Sequence, residues 1–292
     1  LGVQVTGQDL ARFHDYALRV AVSLETGDPS FGLRYTYGRT PLFPSLRLFR
    51  EVGTRYDLEV GGVARQWTEE RVGGQVALSY RFASILRSVW LDLDYSLFHV
   101  DNIEPFSGVL DPNDPPPRLP ERGFIPRAGF GVRYSDVARV AYDISPSYGR
   151  TFGVSLGVTD PLMGRDIRSV IVRWNLRQFV TLPFAQHHVL ALRYAGGMSG
   201  GDPGRLSYFV LGGYPNDSAF SLYDFLVFGA VPSVTGEALR GYPAGYRVGS
   251  QLQHVQAEYR FPLFDPEWGI YTLPAYLKRL WGTVFVDAGN TW

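Results

Sequence analysis

Apolar and polar residues alternate with a period of two through most of the sequence, and this alternation constrains the fold more than any other feature. In the segment SVWLDLDYSLF, Leu93 and Tyr95 share one face of an extended chain, whereas Asp92 and Asp94 share the other. Such a pattern is typical of half-exposed β-strands, so the chain is predicted to be all-β. Further apolar faces of this kind are formed by Tyr16, Leu18, Val20, Val22 and Leu24; Phe31, Leu33, Tyr35 and Tyr37; Val76, Leu78, Tyr80 and Phe82; Phe152, Val154, Leu156 and Val158; and Val170, Val172, Trp174 and Leu176.

Two all-β architectures fit this alternation. In a soluble sandwich the apolar faces pack against a second sheet, whereas in a membrane barrel they meet lipid and the polar faces line a lumen. Lysine occurs once, at Lys278, although soluble surfaces use it freely. The polar faces combine small residues with Arg and Asp, and aromatic residues gather near strand ends, as in membrane barrels. These features favour a transmembrane antiparallel β-barrel.

The composition excludes several classes of function. With 28 basic and 28 acidic residues the formal net charge is zero, which argues against a nucleic-acid-binding protein. Cysteine is absent, so neither a disulfide framework nor a thiolate metal site is expected. No apolar run approaches the roughly 18 residues of a membrane helix. The first residues lack the features of a signal peptide, and we expect the sequence to begin inside a longer protein.

About 12–13 strands are predicted, each with the ~9–11 residues that a tilted strand needs to cross a bilayer. Residues 1–6 form a short first strand or none, and residues 128–145 form one strand or two. Short turns such as FASILRS and LPFAQHH alternate with longer loops, as in outer-membrane barrels. Loops are predicted at the proline-rich residues 111–122 and over the longest connection, residues 198–247. The segment GGMSGGDPG is interpreted as the flexible root of that longest connection.

The carboxyl-terminal part carries two motifs in a fixed order. The segment GEALRGYPAGYRVGSQLQHVQAEYRFPLF, followed by GTVFVDAGNTW, resembles the BamA/TamA superfamily of outer-membrane barrels, also called bacterial surface antigens. In that family a long loop folds into the lumen and carries an Arg-Gly-aromatic motif, which pairs with a Phe-x-Asp-x-Gly motif on a late strand. Here the motifs comprise Arg240, Gly241 and Tyr242, and Phe285, Asp287 and Gly289. Leu239 stands where the family has Val. Other matching residues are Leu211, Gly212, Gly213, Glu258, Arg260, Phe261 and Pro262.

The alternation of side chains between the two faces of the late strands supports the same arrangement. In the last run Val284 and Val286 form an aliphatic face that is expected to meet lipid, which turns Asp287 toward the lumen. The same reasoning turns Glu258 inward on the preceding strand. An arginine on an inserted loop, Arg240, would reach both carboxylates with its planar donor fork. We expect Gly241 to permit the turn at the loop tip and Tyr242 to pack that tip against the wall.

The resemblance also implies an upstream module and further strands. Family barrels have sixteen strands and amino-terminal POTRA modules, so residues 1–292 are interpreted as one partial barrel domain without its upstream module and final strands. The implied function is assistance to the insertion of proteins into, or their transport across, the bacterial outer membrane. The implied partners are outer-membrane lipids, nascent outer-membrane proteins or an exported substrate, and a periplasmic or amino-terminal module. No enzyme activity, cofactor or nucleic-acid partner is expected.

Two alternatives stay open at this point. The same barrel would also serve as a membrane anchor or export pore for an amino-terminal propeller or lipase-like domain. A soluble β-sandwich binding module is the other alternative.

No functional site is predicted at the other residues with reactive or metal-binding side chains. His187 and His188 are adjacent, and successive strand residues point to opposite faces, so they do not form a metal site. Asp92 and Asp94 are assigned to lumen electrostatics, with inward arginines as partners. The apolar run over residues 219–230 is predicted to pack in or over the lumen as a short helix or cap.

Overall fold

A computed structural model describes residues 2–11, 13–22, 27–60, 63–103, 122–138, 143, 145–164, 167–202, 209–212, 235–242, 246–264, 267–269 and 276–292. Strands dominate this part of the chain. In chain order they are β1 (Gly2–Gln8), β2 (His14–Val22), β3 (Pro29–Tyr37), β4 (Leu42–Val60), β5 (Val63–Ala83), β6 (Ser88–Asn102), β7 (Gly123–Ser135), β8 (Gly149–Thr159), β9 (Ser169–Thr181), β10 (Val189–Gly201), β11 (Phe209–Gly212), β12 (Thr235–Ala238), β13 (Arg247–Gly249), β14 (Gln251–Phe264), β15 (Trp268–Gly269), β16 (Tyr276–Leu277) and β17 (Leu280–Thr291). No helix in the described ranges is long and apolar enough to cross a membrane.

Within the described residues, one antiparallel sheet of 12 strands forms the wall of the molecule. Strands β1 to β10 pair in sequence order, β10 then pairs with β14, and β14 pairs with β17. Two small sheets lie in the connections: β11, β12 and β13 form one, and β15 with β16 forms the other. The predicted all-β antiparallel barrel is confirmed, and the short first strand is present as β1.

The two faces of the wall differ in the way that a membrane barrel requires. On the outer face Val76, Leu93 and Val286 are 54%, 58% and 69% exposed. On the inner face polar side chains such as Ser96 and His254 are buried. In a soluble sandwich the aliphatic face would be buried against a second sheet. The exposed aliphatic face therefore contradicts the sandwich and fits contact with lipid.

Several strands and connections differ from the sequence-based expectation. Strands β4 and β5 have 19 and 21 residues, well beyond the ~9–11 that cross a bilayer, so their hairpin projects past the membrane. Of residues 128–145, which were expected to form one strand or two, those up to Ser135 belong to β7, and the described residues 136–138, 143 and 145 lie in no named strand. The glycine-rich stretch GGMSGG belongs to β10 and is not a flexible loop root.

The barrel has two unlike ends, which follow from the strand order. Here the short-turn end is the one with the β5–β6 and β9–β10 turns, and the long-loop end carries the β10–β14 connection. In the β7–β8 connection, the described residues Val137 and Ser147 contact the inner wall at the short-turn end. Val137 packs on the inward-facing residues Phe179, Val189 and Ala191, and Thr181 donates a hydrogen bond of 2.9 Å to the carbonyl of Ser147.

Candidate functional site

The long connection between β10 and β14 contains a small sheet of its own. Strand β11 lies at its centre, parallel to β12 and antiparallel to β13. The amide of Leu239, just after β12, donates a hydrogen bond of 2.5 Å to the carbonyl of Gly212 at the end of β11. Strands β11 and β13 contact the wall strands β14 and β17. We call this sheet the loop sheet, and it brings the Arg-Gly-Tyr tip to the inner wall.

Apolar side chains seat the loop sheet against the inner wall. Phe209, Leu211 and Leu239 are 1%, 0% and 5% exposed, and they cluster with Ile171 of β9 and Leu252 of β14. Burial of each large apolar side chain contributes about 1.5–3 kcal/mol. The loop sheet therefore has an apolar anchor that is independent of charge.

Two glycines of the wall leave the space that this anchor occupies. A Cβ atom on Gly197 of β10 would collide with the ring of Phe209. A Cβ atom on Gly289 of β17 would lie 3.1 Å from Cδ2 of Leu211 and 3.0 Å from the carbonyl oxygen of Gln253. Glycine therefore lets the loop sheet approach the wall closely, with a clash expected from any side chain at Gly197 and tight contacts at Gly289.

The guanidinium group of Arg240 binds two carboxylates at once. Its Nε and Nη2 atoms donate to the two oxygens of Asp287 at 2.6 and 2.8 Å, and its Nη1 atom donates to Glu258 at 3.0 Å. The guanidinium also lies 3.4 Å from the centre of the Phe285 ring. Such bidentate, charge-assisted bonds combine energy with a fixed geometry. We call Arg240 with Asp287 and Glu258 the clasp.

Burial of Asp287 and the backbone conformation at Gly241 both favour the clasp. The Asp287 side chain is 3% exposed, so loss of Arg240 would leave a buried carboxylate without its cation. The hydrogen bonds that Arg240 donates to Asp287 raise the pKa of Arg240 above its usual value. Gly241 follows at a φ of +87°, a left-handed conformation in which side chains are strained. The turn at the loop tip is therefore built for glycine.

Glu258 accepts hydrogen bonds from two arginines and so connects groups from the two ends of the barrel. Its Oε1 atom accepts from Arg240, and its Oε2 atom accepts from Nη2 and Nε of Arg260 at 2.6 and 3.0 Å. Arg260 in turn donates from Nη1 to Ser145 Oγ at 2.8 Å. One chain of hydrogen bonds thus runs from the loop tip through β14 to the connection inserted from the short-turn end.

A second ion pair holds the loop sheet near β10. Glu237 of β12 pairs with Arg193, with an Nη1 to Oε2 distance of 2.6 Å. Nδ1 of His254, a residue that is 1% exposed, lies 3.6 Å from the same carboxylate. Burial works against the ionisation of Glu237, but the neighbouring His254 and the bonds from Arg193 lower the pKa of this carboxyl below its usual value. Glu237 is therefore a charged anchor of the loop sheet.

The structure brings most of the sequence-predicted site residues together. Arg240, Asp287, Glu258 and Phe285 are in direct contact, as described above. Tyr242 differs from the expectation, because it is 46% exposed and its ring packs on Tyr246 of the same loop rather than on the wall, with 4.8 Å between ring centres.

Sequence reasoning did not find Glu237, Arg193 and the apolar anchor. The available signal was Glu237 itself, which lies three residues before Arg240 in the quoted motif. Arg193 is one of several inward arginines, and nothing in the sequence separates it from the others. Gly213 and residues 219–230 lie outside the described residues, as does nearly all of the proline-rich segment 111–122.

The other chemistry-bearing residues have separate partners. Nδ1 of His187 lies 2.8 Å from Asp143, and Nδ1 of His188 lies 2.6 Å from the Tyr259 hydroxyl, so the two rings do not converge. Asp92 accepts from Ser79 at 2.6 Å and pairs with Arg133. Asp94 accepts from Gln75 at 3.1 Å. These carboxylates belong to the charge network of the lumen wall.

Comparison with known proteins gives a fold but no family. No protein-family model and no curated protein matches the sequence. The structure is similar to BamA from Haemophilus ducreyi lacking POTRA domains 1–3, with a TM-score of 0.56 and 16% identity over 100% of this chain and 57% of that chain. It has a more distant similarity to an anion-selective porin from Comamonas acidovorans, with a TM-score of 0.37 and 14% identity over 67% of this chain and 48% of that chain.

The chain spans less than two thirds of the length of the BamA chain to which it is similar. Its sheet of 12 antiparallel strands, its exposed aliphatic face and its polar interior agree with that similarity. The chain therefore has the fold of an outer-membrane β-barrel.

Proposed function

We propose that this chain is the barrel of a protein of the BamA/TamA type, which assists the insertion of proteins into, or their transport across, the bacterial outer membrane. The single observation that carries this proposal is the clasp. Arg240, on a loop tip inside the barrel, binds Asp287 and Glu258 on two neighbouring wall strands. The residues of the clasp are those through which the sequence resembles this superfamily.

The proposed role follows from the physics of a β-wall. An incompletely paired strand exposes backbone groups that an incoming strand can join. The clasp would act as a lumen latch that keeps the loop sheet inside the barrel while such a strand is accepted. Arg240, Gly241, Tyr242, Glu258, Phe285, Asp287 and Gly289 form this proposed latch, and none of them is assigned a catalytic role.

The proposed partners are outer-membrane lipids on the aliphatic face and an unfolded outer-membrane protein, or an exported one, as the client. A periplasmic module of the same chain would deliver the client. The proposed location is the bacterial outer membrane, and no cofactor is assigned.

Reconstitution tests the proposal. The full-length protein is placed in lipid vesicles, and the folding rate of an added, urea-unfolded outer-membrane barrel is followed by its gel mobility. We expect faster folding than in empty vesicles, and a smaller acceleration with Arg240→Ala. Arg247→Ala, a change to an exposed arginine of the same loop, is the matched control and should keep the wild-type rate.

Equal folding rates with and without the protein would contradict the assembly role. That result, together with loss of surface display of an attached amino-terminal domain when the barrel is deleted, would favour the alternative of an anchor or export pore.

A further inference from the structure

A second group of charged residues lies on the lumen wall away from the clasp. Arg127 of β7 and Arg173 of β9 both face the lumen, on either side of β8. The guanidinium of Arg127 extends across β8, because a Cβ atom on Gly157 would collide with its Nη2 atom. Arg173 lies opposite Ser155 of β8 and Gly197 of β10. The two cationic groups therefore approach each other over a wall of small residues.

The two positive charges of this pair are only partly balanced by the described residues. Arg127 and Arg173 are close enough for their charges to repel each other. Asp94 lies near Arg127 and offsets its charge. The Nε atom of Arg173 is buried and has no hydrogen-bond acceptor in the described ranges. A buried donor without an acceptor destabilises the protein, and an anion beside Arg173 would supply the missing acceptor.

The surface below the pair is formed by small residues. The inward-facing residues of β8 beside the two arginines are Gly153, Ser155 and Gly157, and none has a bulky side chain. Arg133, which faces the lumen further along β7, differs because it is paired with Asp92 at 3.0 Å. The Nε atoms of Arg34 and Arg47 are also buried without an acceptor among the described residues, but these two guanidinium groups pair with Asp15 and Glu51.

We propose that Arg127 and Arg173 form a binding site for a small phosphate-like oxyanion on the lumen wall beside Gly157. Guanidinium groups present planar donor forks that match the oxygens of phosphate or sulfate. The anion would place its charge between two cations and accept from the buried Nε of Arg173. This site is independent of the proposed role in protein insertion.

Inorganic phosphate is the probe. The full-length protein is folded in a maltoside detergent, and its unfolding midpoint is measured by heat-dependent gel mobility in phosphate and in chloride at equal ionic strength and pH. We expect phosphate to raise the midpoint of the wild-type protein. Arg173→Gln should weaken the apparent affinity for phosphate at least about tenfold, since a charge-assisted hydrogen bond is lost.

Two further variants separate binding from folding. In chloride Arg173→Gln should not lower the midpoint, because it removes a repulsion, whereas Arg127→Gln should lower it, because Asp94 loses its neighbouring cation. Arg133→Gln is the control and should keep the phosphate response.

Three results would overturn the site: no phosphate response in the wild-type protein, a full response in Arg173→Gln, or equal destabilisation of Arg173→Gln in both salts. A parallel sample contains a lipid with a phosphate headgroup and no inorganic phosphate. A response to that lipid alone would assign the arginines to a membrane contact and would also overturn the proposal.

Discussion

At the scale of single residues, Arg240 uses both the donor fork and the flat face of its side chain. Two of its N–H groups bind Asp287, a third binds Glu258, and the flat face of the guanidinium lies on the Phe285 ring. A lysine carries the same charge but has neither the planar fork nor the flat face. The identity of this residue, and not only its charge, is therefore fixed by its neighbours.

Arg240→Lys tests this requirement. We expect the barrel to lose about 1–3 kcal/mol of unfolding free energy, since the charge is kept but the bidentate bonds are lost. Urea unfolding in lipid vesicles, followed by tryptophan fluorescence, measures the change. Arg247→Lys on the same loop is the control, and equal stability of both variants would show that the fork is not needed.

Glu237 predicts a dependence on pH. Its pKa in the folded protein is lowered below the ordinary value of 4.5, so its contribution is complete above that value and is lost as the pH falls through the lowered pKa. We therefore expect protease cleavage within residues 202–250 to increase as the pH falls below 4.5. Protonation of Glu237 leaves Arg193 without its charged partner, and Glu237→Gln has the same effect at every pH. This variant should therefore show high cleavage at neutral pH and a weaker pH dependence. A wild-type pH profile in this variant would contradict the assignment.

At the scale of elements, the loop sheet and the wall have complementary shapes. The clasp follows from sequence, because strand parity orients Asp287 and Glu258 toward the lumen. The apolar anchor does not follow, because β11 and β12 have only four residues each, too few to show a period. Gly197 was interpreted as part of a flexible root, since glycine is as common in loops as at close approaches between elements.

Gly197→Ala tests the fit between the loop sheet and the wall. A Cβ atom at this position would collide with Phe209, so we expect the loop sheet to be displaced and the loop to be cleaved faster by protease. Gly200→Ala, in the same strand, meets no atom within 4 Å and is the matched control. Equal cleavage of the two variants would show that Phe209 does not depend on this space.

At the scale of the whole molecule, the exposed aliphatic face indicates that lipid surrounds the barrel. Alternation predicts the barrel because each membrane-crossing strand must meet lipid on one side and the lumen on the other. The length of β4 and β5 was not predicted, because strands beyond the bilayer pair through their backbones and need no apolar face. The inserted β7–β8 connection was also missed, because nothing in the sequence marks the end of β7 at Ser135 or shows that Val137 packs on the inner wall.

Val76→Arg tests the contact with lipid. Val76 lies on the outer face and is 54% exposed, and a lipid-facing arginine near the bilayer midplane costs about 2–4 kcal/mol. We expect this loss in unfolding free energy in vesicles. Gln75→Arg, which changes the neighbouring inward-facing residue beside Asp94, should cost much less. Equal costs would contradict the assignment of the two faces.

The bond between the loop tip and the last described strand holds the loop sheet inside the barrel. A double-mutant cycle with Arg240→Ala, Asp287→Ala and the double variant, measured by urea unfolding of the full-length protein in vesicles, isolates their coupling energy. The clasp predicts a coupling of about 1–3 kcal/mol, so that the second substitution costs much less than the first. Additive effects, with no coupling, would contradict the inserted and clasped loop.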